Sequence, residues 1–247
     1  MHPSSRGALG GGYTDRGGFA ATTDMKVLLC GAAGWTGRAV LAELLRQPGW
    51  NVRALEVRAE SWQDPVAEED GPAPSDPRVE LLYADMADFA AVEAAVEGCD
   101  AVVHTSVYFP DPQASGEFGS GEHESDEKGW LVNLKGLWNL LECSRRHGIR
   151  RVVHVGSCST KWGGSTAHPQ PGSVIYEADV RRPDGHLYAV YKRLQEEMCQ
   201  FFDAFALPII VLRPAYIVDL GLALGRGKET LETVSESWID RHQLAEA

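Results

Sequence analysis

Three glycines spaced G-x-x-G-x-x-G, Gly31, Gly34 and Gly37, constrain this chain more than any other feature. Before them, Val27, Leu28, Leu29 and Cys30 form an apolar run that reads as a strand buried on both faces. After them, residues 38–45 carry a helical pattern. Strand, tight turn and helix in that order deliver the chain to a helix N-terminus, whose free N–H groups favour a phosphate. In such a turn Gly31 permits the reversal, Gly34 lets the backbone approach a pyrophosphate, and Gly37 lets the helix pack closely on the sheet. The alternative is a glycine-rich loop with no ligand, and the strand and helix on either side weigh against it.

From Met25 the strand and helix patterns alternate. Residues 51–58 read as a second strand, and 61–77, with four prolines and five acidic residues, as a surface loop. Residues 78–85 read as a third strand, followed by a helix through Phe89, Val92, Ala95 and Val96 that stops near Gly98. A fourth strand spans 101–107. A Gly- and Glu-rich loop over 110–128 then leads to a helix on Trp130, Leu131, Leu134, Leu137, Trp138 and Leu141, ended by His147-Gly148. Strand five (151–156), a long helix from about 185 to 205 and strand six (208–212) complete the alternation. Helix-length crossovers between strands predict an α/β fold with a doubly wound parallel sheet covered on both faces.

The sequence of 247 residues has a formal charge of -12 and no basic stripe, which argues against nucleic acid or an anionic membrane as partner. An anionic ligand must then be held locally, by backbone N–H groups and a few cations. Five dispersed cysteines without a C-x-x-C pair read as buried small hydrophobes in a reducing compartment, and the cytoplasm is the expected location. Residues 1–24, rich in Gly, Ser and Thr, read as a disordered leader without the apolar core of a signal peptide, with Met25 a candidate start. No apolar run is long enough to span a bilayer.

In a doubly wound sheet, ligand chemistry collects at the carboxyl ends of the strands. Glu56, ending strand two, suits a ribose 2′-hydroxyl; its alternative is a solvated carboxylate, and Arg58 keeps a 2′-phosphate open as the minority reading. Asp85 could meet an adenine or cap the next helix. His104, Thr105 and Ser106 end strand four beneath the ligand, although His104 could equally be a core histidine. Tyr188 and Lys192, four apart on the last long helix, share one face. A neighbouring ammonium stabilises phenolate and so brings a tyrosine toward the pH range in which it can shuttle protons. Ser157, just past strand five, could steady a substrate oxygen.

Taken together, these residues resemble an extended short-chain dehydrogenase/reductase of the NAD-dependent epimerase/dehydratase family, over roughly 26–247. The likeness rests on the Gly31-Gly34-Gly37 turn, Glu56, Asp85-Met86, His104-Thr105-Ser106 for H-x-A-A and Val132-Asn133-Leu134-Lys135-Gly136 for V-N-x-x-G. It continues through Val155-Gly156-Ser157, Tyr188-x-x-x-Lys192 and Leu212-Arg213-Pro214-Ala215-Tyr216-Ile217 for the L-R-P segment. The resemblance implies a Rossmann-type domain over 25–215 that carries NAD, with NADP less favoured. By it Tyr188 is the acid/base, Lys192 binds the nicotinamide ribose and tunes the tyrosine, and Ser157 orients the substrate. It also implies a cofactor site that includes Trp35, Thr36, Met86, Asn133, Pro214, Ala215, Tyr216 and Ile217.

Substrates in the family are sugars, sugar nucleotides and uronic acids, and its members often pair two helices into a homodimer. Two departures stand out. Where the family places a Ser or Thr, five residues before Gly163, this chain has Cys158, so either neighbour, Ser157 or Ser159, can supply the hydroxyl. Members also continue past the segment that 238–247 resembles, which implies a short or truncated substrate cap over 216–247. A non-catalytic dinucleotide-binding protein is therefore the rival to an enzyme.

Overall fold

The computed structural model describes residues 24–63, 74–108, 123–162, 187–225, 230–233 and 238–247. The predicted leader and the centres of the 61–77 and 110–128 loops lie outside these residues. Strand β1 (Met25–Cys30) is buried except at Lys26. It pairs in parallel with β2 (Trp50–Glu56) on one side and with β4 (Ala101–His104) on the other. β3 (Val79–Tyr83) lies outside β2, and β5 (Arg151–Val155) and β6 (Ile209–Leu212) extend the sheet beyond β4. The resulting order, β3-β2-β1-β4-β5-β6, reverses direction at β1, so a crevice opens between the carboxyl ends of β1 and β4.

Alternate residues of β1 serve the two faces of the sheet, as strand geometry requires. Leu29 joins the core formed with Val40 and Leu41 of α1 (Trp35–Arg46). Leu28 and Cys30 join the opposite core with α2 (Phe89–Val96), α4 (Gly136–Arg146) and α6 (Leu187–Asp203). α3 (His123–Trp130) runs into α4 through a π turn, Leu131–Lys135. The short α5 (Ser159–Trp162) follows β5.

All six predicted strands are present, and five of them are shorter at one or both ends than the sequence suggests. The cause is visible at the crevice. Gly31, at φ +83°, turns the chain out of the sheet, and the Thr105 N–H takes the Cys30 carbonyl at 3.0 Å, so β4 has no ladder partner beyond that point. Two other expectations are corrected. The loop predicted to continue to 128 gives way to α3 at His123. The loop predicted to lie on the surface from 61 begins with a 3₁₀ turn, Ala59–Gln63, whose Trp62 is buried in the α1 core. Acidic and proline-rich neighbours hide that single aromatic anchor in the sequence.

The C-terminal segment forms a second, small sheet in which β7 (Tyr216–Asp219) pairs with β8 (Leu224–Gly225) and β9 (Trp238–Asp240). Asp240 then caps α7 (Arg241–Glu246), its Oδ1 accepting from the His242 and Gln243 N–H groups. Arg241 anchors this unit to the main domain. Its Nε donates to Asp219 Oδ2 at 2.5 Å, its Nη1 donates to the Trp35 carbonyl at 3.3 Å, and its guanidinium lies 4.7 Å from the Trp35 ring centroid.

Both members of the Asp219–Arg241 pair are buried, at 2% and 1% exposure, so removing Arg241 takes from the Asp219 carboxylate its buried counter-charge and leaves it the Leu222 N–H and the exposed His242. Arg241→Ala is expected to cost about 3–5 kcal/mol in urea unfolding. Replacing both with apolar residues of similar size should cost far less, and equal losses in the two variants would refute this account.

Candidate active site

The glycine turn is built by close approaches that leave no room for side chains. A Cβ on Gly31 would stand 2.8 Å from the Ser106 nitrogen, and one on Gly37 would overlap the Gly31 carbonyl oxygen. Gly34 is the N-cap of α1 and supplies no side chain to it, so the first-turn N–H groups face the crevice uncapped. The Ala33 peptide between them is held from both sides. Its N–H donates to Glu56 Oε1 at 2.5 Å, and its carbonyl accepts from Arg38 Nε at 2.9 Å. Arg38 is buried, also donates to the Trp62 carbonyl at 2.7 Å, and lies 5.4 Å from the Trp62 ring centroid. Sequence reasoning passed over Arg38. Its signal was a charge one position after the last glycine, on the face of α1 that carries Leu41 and Leu45.

Above the turn lies a cavity of about 720 Å³, within the range of about 300–1,000 Å³ usual for ligand pockets. Gly31, Gly34, Trp35, Thr36, Gly37, Glu56, Asp85, Met86, Thr105, Ser106, Ser157, Tyr188, Lys192, Pro214, Ala215, Tyr216 and Ile217 all line it. Burial raises the Glu56 carboxyl above its ordinary pKa, opposed by the Ala33 N–H and the Arg38 charge. Asp85 is not the helix cap. Its Oδ1 accepts the Ala87 N–H at 2.8 Å, while Asp88 caps α2 through the Ala90 and Ala91 N–H groups.

At the other end of the cavity Tyr188 and Lys192 share one face of α6, with the ammonium 5.8 Å from the phenol ring centroid. Lys192 is 4% exposed and donates to the Val155 carbonyl at 2.8 Å, which fixes it at the end of β5. Ser157 Oγ accepts from the Ser159 N–H at 3.1 Å and from the Ser159 hydroxyl at 2.9 Å. These contacts occupy the acceptor side of the Ser157 hydroxyl, whose proton can turn to a ligand or to the neighbouring Cys158 sulfur. Cys158, which also lines the cavity, is a neutral thiol, pushed up to about 11 by burial. The backbone of this turn is braced. Thr160 Oγ1 bonds the Ser157 carbonyl and Glu196 Oε1, and the buried Glu196 takes two hydrogen bonds from Arg213, at 2.8 and 3.1 Å.

Two sequence-derived site residues stand behind the cavity wall rather than on it. Asn133 is buried in the π turn, where its amide bonds both the N–H (2.8 Å) and the carbonyl (3.0 Å) of Tyr108, and its own carbonyl accepts from Gln195 at 2.8 Å. The extra residue of a π turn is what aims Asn133 at that loop. His104 is the core histidine, not a lining residue. Its Nδ1 lies 2.8 Å from Nδ1 of His154, with the rings stacked at 5.0 Å. Both belong to adjacent, paired strands, so their side chains point to the same face of the sheet.

The sequence profile of the NAD dependent epimerase/dehydratase family matches residues 27–245. The chain is 32% identical over 152 residues to a 3 beta-hydroxysteroid dehydrogenase/Delta 5→4-isomerase of Mycobacterium tuberculosis, covering 60% of this chain and 36% of that protein. It is 30% identical over 191 residues to a uronate dehydrogenase of Pseudomonas putida, covering 76% and 59% respectively. The chain thus spans between about a third and three fifths of these relatives. Among solved structures, a Thermus thermophilus UDP-glucose 4-epimerase in complex with NAD superposes with a TM-score of 0.62 at 24% identity, over 79% of this chain and 56% of that one. A mutated uronate dehydrogenase superposes with a TM-score of 0.62 at 21% identity, over 89% and 66%. At such identities the superpositions report the fold.

The imidazole pair has a consequence for acid stability. Burial holds His104 down to about 3 and His154 well below its ordinary value, with Lys192 adding repulsion at both. The Gln195 amide works against the shift at His154, but its Oε1 has no hydrogen-bond donor in reach and desolvation prevails. The two rings are therefore neutral, one donating Nδ1–H to the other. Below about pH 6.5 the unfolded chain takes up protons that the folded one refuses, so this stability is present above that pH and declines as pH falls toward 3. Each imidazole contributes a slope of up to about 1.4 kcal/mol per pH unit. Urea unfolding between pH 7 and 5 should show a steeper decline for wild type than for a His104→Phe/His154→Leu double variant; parallel slopes would exclude the pair as the cause.

Proposed function

Because the chain belongs to the NAD dependent epimerase/dehydratase family, we propose that it binds NAD in this cavity and acts on a hydroxyl-bearing carbon of a sugar, sugar nucleotide or uronic acid. One observation carries the reading: Ser157, Tyr188 and Lys192 line the same cavity as the Gly31-Gly34-Gly37 turn. The residues fit the cofactor. The uncapped N–H groups at the start of α1 suit a diphosphate, and Gly34, which lines the cavity, places no side chain over them. Glu56 suits a ribose diol and opposes a 2′-phosphate by like charge, which favours NAD over NADP.

NAD, when bound, supplies the nicotinamide that exchanges hydride with the substrate carbon. The chain's own groups handle the proton. Ser157 donates its hydroxyl proton to the substrate oxygen and holds it toward the phenol of Tyr188. The Lys192 ammonium favours the phenolate, so the Tyr188 oxygen can take the substrate hydroxyl proton in the oxidative direction and return it in the reductive one. Ser159 keeps Ser157 oriented as a donor. The five free cysteines are in keeping with a reducing, cytoplasmic setting, and no helix among the described residues is long and apolar enough to cross a membrane.

Titration should give tighter binding of NAD(H) than of NADP(H). Tyr188→Phe removes one hydroxyl and should leave NAD affinity and folding intact while lowering turnover toward the upper part of the about 10²–10⁴-fold range typical of general acid–base catalysis. Lys192→Met should lower turnover and NAD affinity together. Unchanged turnover in both variants removes the catalytic assignment, and a wild type that binds NAD but turns over no sugar or uronate in a broad screen favours a binding protein.

Assembly follows from the outer faces of α4 and α6. Leu137, Leu140, Tyr191 and Phe202 are core residues, whereas Trp138, Leu194, Phe201 and Phe205 remain exposed at 43%, 37%, 49% and 58%. Trp138 stacks on Phe201, whose ring meets Phe205, making one continuous aromatic surface. We infer that a second copy covers it in a two-fold dimer. Sedimentation should return a dimer mass for wild type and a monomer for Trp138→Glu/Phe201→Glu; a concentration-independent monomer in wild type would overturn the dimer.

A further inference from the structure

The carboxylates that line the cavity all belong to one of its sides. Glu56, Glu60 and Asp85, together with Arg58, belong to the side built from the ends of β2 and β3. On the side built from α3, α6 and the ends of β4 and β5, the charged lining groups are Lys128 and Lys192, and none of the described lining residues there is a carboxylate. Lys192 is engaged with the Val155 carbonyl and the Tyr188 ring. Lys128 differs, because its ammonium lies 5.1 Å from the Tyr108 ring centroid and pairs with no described carboxylate. An aromatic face satisfies the charge while leaving ammonium N–H donors free for another acceptor.

The backbones that carry the two partners of that contact are held in place, although the Lys128 side chain itself is exposed. The Tyr108 backbone is pinned through its N–H and carbonyl by Asn133. α3 is anchored to the catalytic helix, since Gly129 packs directly against the Tyr191 hydroxyl and Trp130 meets the Tyr191 ring edge-on at 5.2 Å. Tyr191 lies three residues beyond Tyr188 on α6. A chain of charge -12 repels anions at long range, so a cation that lines the same cavity as Ser157 and Tyr188 and pairs with no described carboxylate provides local attraction for one.

We infer that the substrate carries an anionic group, carboxylate or phosphate, that sits on the Lys128 ammonium while its reacting hydroxyl faces Ser157 and Tyr188. Lys128 is then the residue that selects an acid over the neutral sugar of the same shape, and the inference rests on the reading of this cavity as an NAD-dependent active site. A compact ammonium accepts either anion, so the two sources need separate probes.

Calorimetric titration of NAD-loaded protein with galacturonate, galactose 1-phosphate and galactose separates them. One of the two anions should bind at least tenfold more tightly than galactose, and which one does so names the source. Lys128→Met should erase that preference, Lys128→Arg should retain most of it, and NAD affinity should be the same in all three proteins. Equal or undetectable binding of all three sugars by wild type, or a preference that survives Lys128→Met, overturns the inference. Failure of wild type to bind NAD would instead sink the reading of the site, and the same titration on NAD-free protein would still decide whether Lys128 selects anions.

Discussion

The backbone of Ala33, gripped at its N–H and at its carbonyl, is the hinge on which this structure depends. A carboxylate from the end of β2 takes its N–H and a guanidinium from α1 takes its carbonyl, so one residue couples the central strand pair to the helix that follows. Both charged groups are drawn into a partly or fully buried setting, and each is compensated by the peptide and by the other's charge. The grip sets the path of the turn, and the turn sets how close α1 comes to the sheet. At Gly37 the approach is so close that no side chain larger than hydrogen can stand there. Arg38 extends the same brace to Trp62, and Arg241 reaches Trp35 from the C-terminal unit. The first turn of α1 is thus supported from the sheet, from the 3₁₀ turn and from α7.

The opposite wall of the cavity is braced by a different device. Here buried polar side chains tie loops to α6: Asn133 to Tyr108, Gln195 to Asn133, Lys192 to Val155, and Glu196 to Thr160 and Arg213. Each spends a buried donor or acceptor on backbone or on an opposite charge, which is how polar groups remain tolerable in an interior. Loops that carry reacting groups need such ties, because they lack a ladder of their own. Ser157 shows the result at atomic scale. Its carbonyl is taken by Thr160 and its hydroxyl oxygen by the Ser159 N–H and hydroxyl.

Family membership and fold agree on an enzyme scaffold, and the relatives differ in chemistry. A steroid dehydrogenase/isomerase and a uronate dehydrogenase both share about a third of their residues with this chain where they align. What bears on that difference in this chain is the set of residues at the end of the cavity that holds Ser157, Tyr188 and Lys192. In this chain those residues include two lysines and no carboxylate among the lining groups described, an electrostatic setting different from the acid-lined end beneath Glu56 and Asp85.

The sequence by itself determined the sheet, its parallel winding and the position of the crevice. Apolar runs and glycine spacing are local signals, and a three-glycine turn between strand and helix allows few alternatives. The i, i+4 spacing likewise put Tyr188 and Lys192 on one face before any contact was known. Tertiary structure alone decided the rest. Whether His104 lined the ligand or the core depended on which face of β4 met His154, and whether Asp85 capped a helix depended on where α2 began. The buried roles of Arg38, Trp62 and Arg241 rest on partners 22 to 206 residues away, at separations where no sequence period carries information. The contact between the Ser157 and Ser159 hydroxyls is likewise a property of one loop's geometry that residue identity does not encode.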